Sequence, residues 1–329
     1  MSLTGETMQA VRAVDWGDAS VLRTETFPRP KPGPGQALVE VKAAGVNFFD
    51  TQLRSGLYKF AALPLALGNE GAGIVLATGE GAAIPVGTRV AWVGVAGSYA
   101  SHVVTPAEKL VVLPEALGFA EAAAGLFQGM TAHYLAFSVG QLGPGRSCLV
   151  HSASGGVGLL LCQMATMQGA RVIGSLSDLA KGAAAQAAGA DPVLSYLAED
   201  FVERVKAETA GTGVDIVYDA VGLQTFEKSL AALKRRGLLA LYGEASGLVP
   251  PFDVRALANH GSLMLTRTGL KDFMATPEEY RMRAGDVLAW LADGQLKLHA
   301  VTSFPLDRAA EAHRALESRR TSGKILLIP

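Results

Sequence analysis

Residues 153–158 read Ala-Ser-Gly-Gly-Val-Gly, with a short apolar run just before them and a longer one just after. This is the glycine pattern of a dinucleotide-binding turn with alanine in its first position. A strand entering such a turn and a helix leaving it place backbone N–H groups and the positive end of a helix dipole around a pyrophosphate. Gly155 would admit the phosphates close to the backbone, and Gly158 would let helix and strand pack tightly. The plainer reading is a glycine turn that only connects strand to helix, and the strand–helix alternation that follows argues against it.

Cofactor choice turns on the second strand. NAD enzymes place an acid about 20 residues on to bind the ribose 2′-hydroxyl, whereas this strand ends Gly174-Ser175-Leu176-Ser177. Lys181, one helical turn further, could neutralise a 2′-phosphate. Asp178 lies twenty residues after Gly158, but its position at a helix start reads as a cap. The expected cofactor is therefore NADPH. His151 ends the first strand, near the cofactor. A histidine bonded to neighbouring backbone is the reading preferred there over a catalytic one.

These residues need a frame to hold them. The 329-residue chain exceeds what one core usually holds, so two domains are expected. The first third carries short apolar runs at 37–43, 73–77 and 89–93, separated by glycine and proline clusters, and reads as β-rich. A helical pattern covers 119–139. From there strands are predicted at 147–151, 171–176, 192–195, 214–219, 237–242 and 262–267. Helices are expected between them at 156–168, 181–188, 199–209 and 225–235. Six such strands predict a doubly wound parallel sheet, an α/β fold with its ligand at the carboxyl ends of the strands. The tail returns to mixed elements and ends on an apolar strand at 324–328, which needs a sheet to pair with and is read as rejoining the front. The division expected is 1–124 with 268–329 as one domain and 125–267 as the dinucleotide-binding domain.

Composition narrows the class. Hydrophobic residues make up 49% and charged residues 18%, with a net charge of −1. Nothing in that balance draws the chain to nucleic acid or an anionic membrane. No apolar run reaches the ~20 residues of a membrane span, and the opening residues lack the pattern of a secretory signal. Two cysteines, Cys148 and Cys162, exclude a disulfide framework and suit a reducing cytoplasm. Both fall on apolar elements and read as core. A hydrolase reading fails for want of a GxSxG elbow.

Five segments carry a resemblance that spans nearly the whole chain: AAGVNFFDTQLRSGLY from Ala43, LGNEGAGIV from Leu67, HSASGGVG from His151, VDIVYDAVG from Val214 and LESRRTSGKILLIP from Leu316. Together they resemble the zeta-crystallin type of quinone oxidoreductase, in the medium-chain dehydrogenase/reductase superfamily. The resemblance implies a GroES-like catalytic domain built from two sequence segments, a homodimer, and catalysis without zinc. It implies that Asn47 and Tyr58 face nicotinamide and substrate and that Thr131 lies near the carboxamide. Lys181 and Tyr196 would surround the 2′-phosphate, Tyr242 would flank the cofactor and Arg319 would approach the phosphates. With Ser154, Gly155, Gly156, Val157, Gly158 and Ser175 these complete the expected cofactor-binding set. Gln128, before the Thr131 segment, bears on pocket polarity.

Zinc-using relatives present a cysteine in the first segment and a histidine in the second. Here those places hold Asn47 and Asn69, with Asp50 and Glu70 beside them. Two amides and two carboxylates are a poor donor set for zinc, and two cysteines cannot build the structural zinc lobe. Asp50 and Glu70 are expected to bond to backbone or to pair with an arginine such as Arg54. The reaction implied is reduction of quinones by NADPH. The alternatives are an NADPH-dependent alkenal or enone reductase, and a non-catalytic nucleotide- or RNA-binding relative.

Overall fold

The computed structural model describes residues 6–59, 62–318, 321 and 323–329. Its strands are β1 (Thr7–Ala13), β2 (Leu22–Pro28), β3 (Gln36–Val46), β4 (Leu65–Ala66), β5 (Glu70–Thr78), β6 (Arg89–Val93), β7 (His102–Pro106), β8 (Val111–Val112), β9 (Ser147–His151), β10 (Arg171–Leu176), β11 (Ala190–Ser195), β12 (Val214–Asp219), β13 (Leu233–Leu241), β14 (Met264–Arg267), β15 (Val301–Pro305) and β16 (Lys324–Ile328). The α-helices are α1 (Phe48–Ser55), α2 (Phe119–His133), α3 (Gly156–Met167), α4 (Gly182–Ala187), α5 (Phe201–Glu208), α6 (Phe226–Ala231), α7 (Arg255–Asn259), α8 (Pro277–Ala292) and α9 (Ala309–Glu317). A π-helical stretch, Tyr134–Gly140, continues α2. Two compact units emerge: residues 1–127 with 276–329, and residues 128–275.

The second unit is a six-stranded sheet in the order β11-β10-β9-β12-β13-β14, and every pairing in it is parallel. Strands covered on both faces must be apolar throughout. All six residues of β12 are buried, and so are four of the five in β9. Strand order reverses between β9 and β12, so the crevice for a ligand opens at their carboxyl ends, His151 and Asp219.

One expected helix is cut short. The sequence pattern predicts helix throughout 225–235, but α6 stops at Ala231 and Leu233 already pairs with Val214. Arg236 adopts a left-handed φ of 58°, and the ladder shifts register there before Leu238 meets Ile216. Lys-Arg-Arg is locally compatible with a helix; pairing to a buried strand overrides that preference.

The first unit is antiparallel for the most part. A seven-stranded sheet runs β15-β16-β3-β5-β6-β8 with β7 also on β3, and a three-stranded sheet runs β2-β1-β4. The final strand β16 pairs antiparallel with β3, joining Ile325 to Val46 and Leu327 to Ala44. Its core gathers Val39, Val41, Val46, Leu67, Val75, Trp92, Tyr99 and Leu327. Among the described residues no helix is long and apolar enough to cross a membrane.

Candidate active site

In the second unit the turn after β9 is held by backbone. Ala153 N–H donates to the Ser175 carbonyl at 3.2 Å, and Gly155 N–H to that of Ser152 at 2.8 Å. Gly155 caps α3 in extended conformation, leaving the first-turn N–H groups unclaimed by any side-chain cap. A Cβ on Gly158 would stand 2.3 Å from the Ser152 carbonyl oxygen and 2.9 Å from Ala153 Cα, so only glycine fits. A Cβ on Gly156 would strike the Gln128 amide at 2.0 Å, which places Gln128 over the turn. The left-handed residue in the turn is Ser152, φ 55°, rather than a glycine. A cradle that excludes Cβ atoms at a helix start suits a pyrophosphate, so the residues fit a dinucleotide.

Three of the other expected cofactor residues lie at the carboxyl ends of strands in the same sheet. Ser175 is at the end of β10, Tyr196 follows β11 and Tyr242 follows β13, its N–H donating to the Asp219 carbonyl at 2.9 Å. Lys181 closes a 3₁₀ turn that Asp178 caps by accepting the Ala180 N–H at 2.9 Å, so Asp178 is indeed engaged as a cap. Thr131 on α2 and Ser154 in the turn are both buried. Val157 is partly exposed in the first turn of α3. The Ser175 hydroxyl turns inward, fully buried against the His151 ring. Arg319 lies outside the described residues.

His151 differs from expectation in its partners, which are side chains and not backbone. Its Nδ1 meets the Ser175 hydroxyl and its Nε2 the Ser229 hydroxyl at 2.9 Å. Ser229 in turn donates to Asp219 Oδ2 at 3.0 Å. The Ser229 oxygen therefore accepts from Nε2–H, and Nδ1 is left to accept from Ser175. Burial holds the imidazole below its ordinary pKa and so favours this neutral form, against the opposing pull of Asp219. Asp219 also accepts N–H bonds from Val221 at 2.8 Å and Gly222 at 3.0 Å, and the Thr225 hydroxyl. Sequence reasoning passed over Asp219. Its signal was an aspartate at a strand end before Ala-Val-Gly, the composition of an Asx turn.

In the first unit, Asn47 follows β3 directly and is the N-cap of α1. Its backbone N–H donates to Asp50 Oδ2 at 2.8 Å, the return arm of a helix cap. Asn69 Nδ2 donates to Asp50 Oδ1 at 3.2 Å. The Asn47 amide reaches across to β5, where Nδ2 donates to Glu70 Oε1 at 2.7 Å. Glu70 Oε2 accepts the Phe127 N–H at 3.0 Å. From β16, Lys324 donates to the Asn47 Oδ1 at 2.7 Å and pairs with Glu70 Oε1. Gly45 makes the room, for a Cβ there would lie 2.2 Å from Glu70 Oε1. Tyr58 is half-buried on the same core, its ring 6.3 Å from that of Phe49.

Asp50 and Glu70 both accept a backbone N–H, as one of the two expected arrangements had it, and neither pairs with Arg54. Arg54 faces the other way, onto Glu317 at 2.5 Å and His313 Nδ1 at 3.1 Å. Glu70 has Lys324 instead, a partner that sequence reasoning missed entirely. Burial raises the Asp50 carboxyl to about 6. Cys148 and Cys162 are fully buried, and burial lifts the Cys162 thiol to about 12, so neither is poised as a nucleophile.

Comparison with known proteins places the chain. Residues 188–327 match the zinc-binding dehydrogenase family, and residues 33–115 match the alcohol dehydrogenase GroES-like domain. Quinone oxidoreductase 1 of Escherichia coli is 41% identical over 317 residues, covering 95% of this chain and 97% of that protein. A 2-haloacrylate reductase from a Burkholderia species is 37% identical, covering 91% and 92%. The crystal structure of E. coli quinone oxidoreductase complexed with NADPH superposes with a TM-score of 0.95 at 39% identity, covering 98% of this chain and all of that one. The first family's description implies zinc, and the donor set here does not fit it. Amide groups of Asn47 and Asn69 are weak ligands, and the one carboxylate beside Asn47's side chain already holds an ammonium cation.

Proposed function

The chain belongs to the quinone oxidoreductases of the medium-chain dehydrogenase/reductase superfamily, and from that membership we infer that it reduces quinones with NADPH and without zinc. The observation that carries the cofactor half is the turn 153–158, where Gly158 admits no side chain. The turn residues Ser154 to Gly158 would hold the pyrophosphate, with Lys181 and Tyr196 at the 2′-phosphate and Thr131 and Tyr242 along the remaining length; Ser175, its hydroxyl buried against His151, would shape the strand edge beneath the cofactor. Arg319 is assigned to the phosphates on the resemblance alone. When bound, NADPH supplies the two electrons as a hydride.

The chain's own part is to bind the acceptor, exclude water and stabilise charge. A quinone oxygen gains negative charge as it is reduced, and without a Lewis acid it needs hydrogen-bond donors. Asn47 Nδ2–H and the Tyr58 hydroxyl are the two proposed. A quinone is already a good acceptor, so positioning supplies much of the rate. If Tyr58 donates, Tyr58→Phe lowers kcat for a para-quinone about tenfold to a hundredfold while NADPH affinity is unchanged. Unchanged quinone turnover by that variant removes Tyr58 from the role.

A small-molecule acceptor, a homodimer and a cytoplasmic setting complete the proposal. The low net charge supports a partner other than nucleic acid. The second reading, reduction of an activated C=C bond, is favoured by the likeness to the 2-haloacrylate reductase. A panel of para-quinones, ortho-quinones, 2-alkenals and 2-haloacrylate separates the two. Faster turnover of quinones supports the first reading, and faster turnover of the alkenals or haloacrylate installs the second.

A further inference from the structure

We propose that Lys324 is a positioning residue that fixes which way round the Asn47 amide stands, so that Asn47 can present only an N–H, never its oxygen, to a bound acceptor. The inference rests on the assignment of Asn47 to the acceptor oxygen.

Polarity follows from what each neighbour can do. An ammonium has only donors, so the amide atom 2.7 Å from Lys324 must be the oxygen. An ionised carboxylate has only acceptors, so the amide atom 2.7 Å from Glu70 Oε1 must be the nitrogen. The two constraints agree. Turning the amide over would set NH₂ against ammonium and oxygen against carboxylate. Those two repulsive contacts would arise where the low dielectric magnifies them, since Glu70 is fully buried and Lys324 is 2% exposed.

The frame itself is held from four sides. The Phe127 N–H fixes the far oxygen of Glu70, and Asp50 fixes the backbone of Asn47. Gly45 leaves space into which the Glu70 carboxylate packs, and β16 carries Lys324 into place through its pairing with β3. With Oδ1 and one Nδ2 hydrogen so engaged, the second Nδ2 hydrogen is the group left for a ligand, and Asn47 is 7% exposed. Acceptors with a carbonyl oxygen are matched by this arrangement; ligands that present a hydroxyl or amine donor are not.

The chain contains three asparagines, Asn47, Asn69 and Asn259, so selective ¹⁵N-asparagine labelling gives three side-chain amide pairs and a direct readout of Asn47. The probe is duroquinone, added to the NADP⁺-loaded protein. In the unsubstituted protein one Nδ2 proton of Asn47 is expected to shift and its partner to stay protected from exchange. Lys324→Met alone strands a buried carboxylate and is destabilised, so the informative variant is Lys324→Met with Glu70→Gln, a neutral pair of similar size.

That double variant is expected to fold and to bind NADPH as before. Its Asn47 amide protons should lose their protection and kcat for duroquinone should fall by about a hundredfold with little change in KM. A folded double variant with unchanged Asn47 resonances and unchanged kcat overturns the proposal. Altered Asn47 resonances with unchanged kcat uphold the fixing of the amide and overturn the acceptor contact. If the unsubstituted protein itself fails to reduce quinones, the functional reading falls, while loss of Asn47 protection in the double variant still supports the role of Lys324 and its retention still refutes it.

Discussion

Gly158→Val abolishes measurable NADPH binding and lowers the melting temperature. The atoms a Cβ would meet are backbone, the Ser152 carbonyl and Ala153 Cα, and cannot swing aside as a side chain could. The helix α3 must therefore move off the turn, which carries its first N–H groups away from the pyrophosphate position. Overpacking of this kind costs about 1–3 kcal/mol of stability, and the displaced N-terminus costs the binding separately. Gly158→Ala should show the same effects in reduced form. Isothermal titration with NADPH and a thermal melt read the two losses apart. Normal NADPH affinity in Gly158→Val would mean that the phosphates sit elsewhere.

A second large effect concerns acid. His313 on α9 is fully buried, with Arg54 donating to its Nδ1 and Tyr99 on its Nε2 at 3.2 Å. Burial first, and then the Arg54 charge, hold its pKa at about 3. The folded ring stays neutral while the unfolded one takes up a proton below about 6.5. This contribution to stability is complete above pH 6.5 and is lost as pH falls toward 3, by about 1.4 kcal/mol per unit and about 5 kcal/mol in all. Asp50 acts in the opposite sense. Its carboxyl, raised by burial to about 6 from 3.8, binds a proton in the fold that the unfolded chain releases. Its destabilising effect is complete above pH 6 and is relieved as pH falls to 3.8, by about 3 kcal/mol.

The two slopes offset each other between pH 4 and 6, and substitution exposes them. His313→Gln keeps an acceptor for Arg54 and a donor for Tyr99 but does not titrate. Relative to the unsubstituted protein, its stability should improve as pH drops from 6.5 to 4. Asp50→Asn should lose stability over pH 6 to 4, again relative to the unsubstituted protein. Urea unfolding at half-unit pH steps reads both; parallel profiles for all three proteins would contradict the assignment of these buried groups.

Some of this structure was legible in the sequence to the residue. Strands 147–151, 171–176, 214–219 and 324–328 stand where they were expected, because each is a short apolar run bounded by glycine or polar residues. Where pattern was ambiguous, as in Leu-Lys-Arg-Arg at 233–236, helix was the wrong choice, since only the partner strand β12 distinguishes the two. The turn 153–158 was legible because its chemistry is local. The partners of Glu70 and His151 were not. Lys324 meets Glu70 across 254 positions and Ser229 meets His151 across 78, and no periodicity or spacing marks such a pair. Lys324 reads in sequence only as the first residue of an apolar strand, where a lysine would ordinarily face water.

NADPH-dependent reduction of a quinone can be followed optically as cofactor oxidation with duroquinone and the purified protein, once with NADPH and once with NADH. Rapid, quinone-dependent loss of NADPH and much slower loss of NADH are expected, with no change on adding a zinc chelator. Preference for NADH would contradict the reading of Lys181, and no quinone-dependent oxidation of either cofactor would contradict quinone reduction itself.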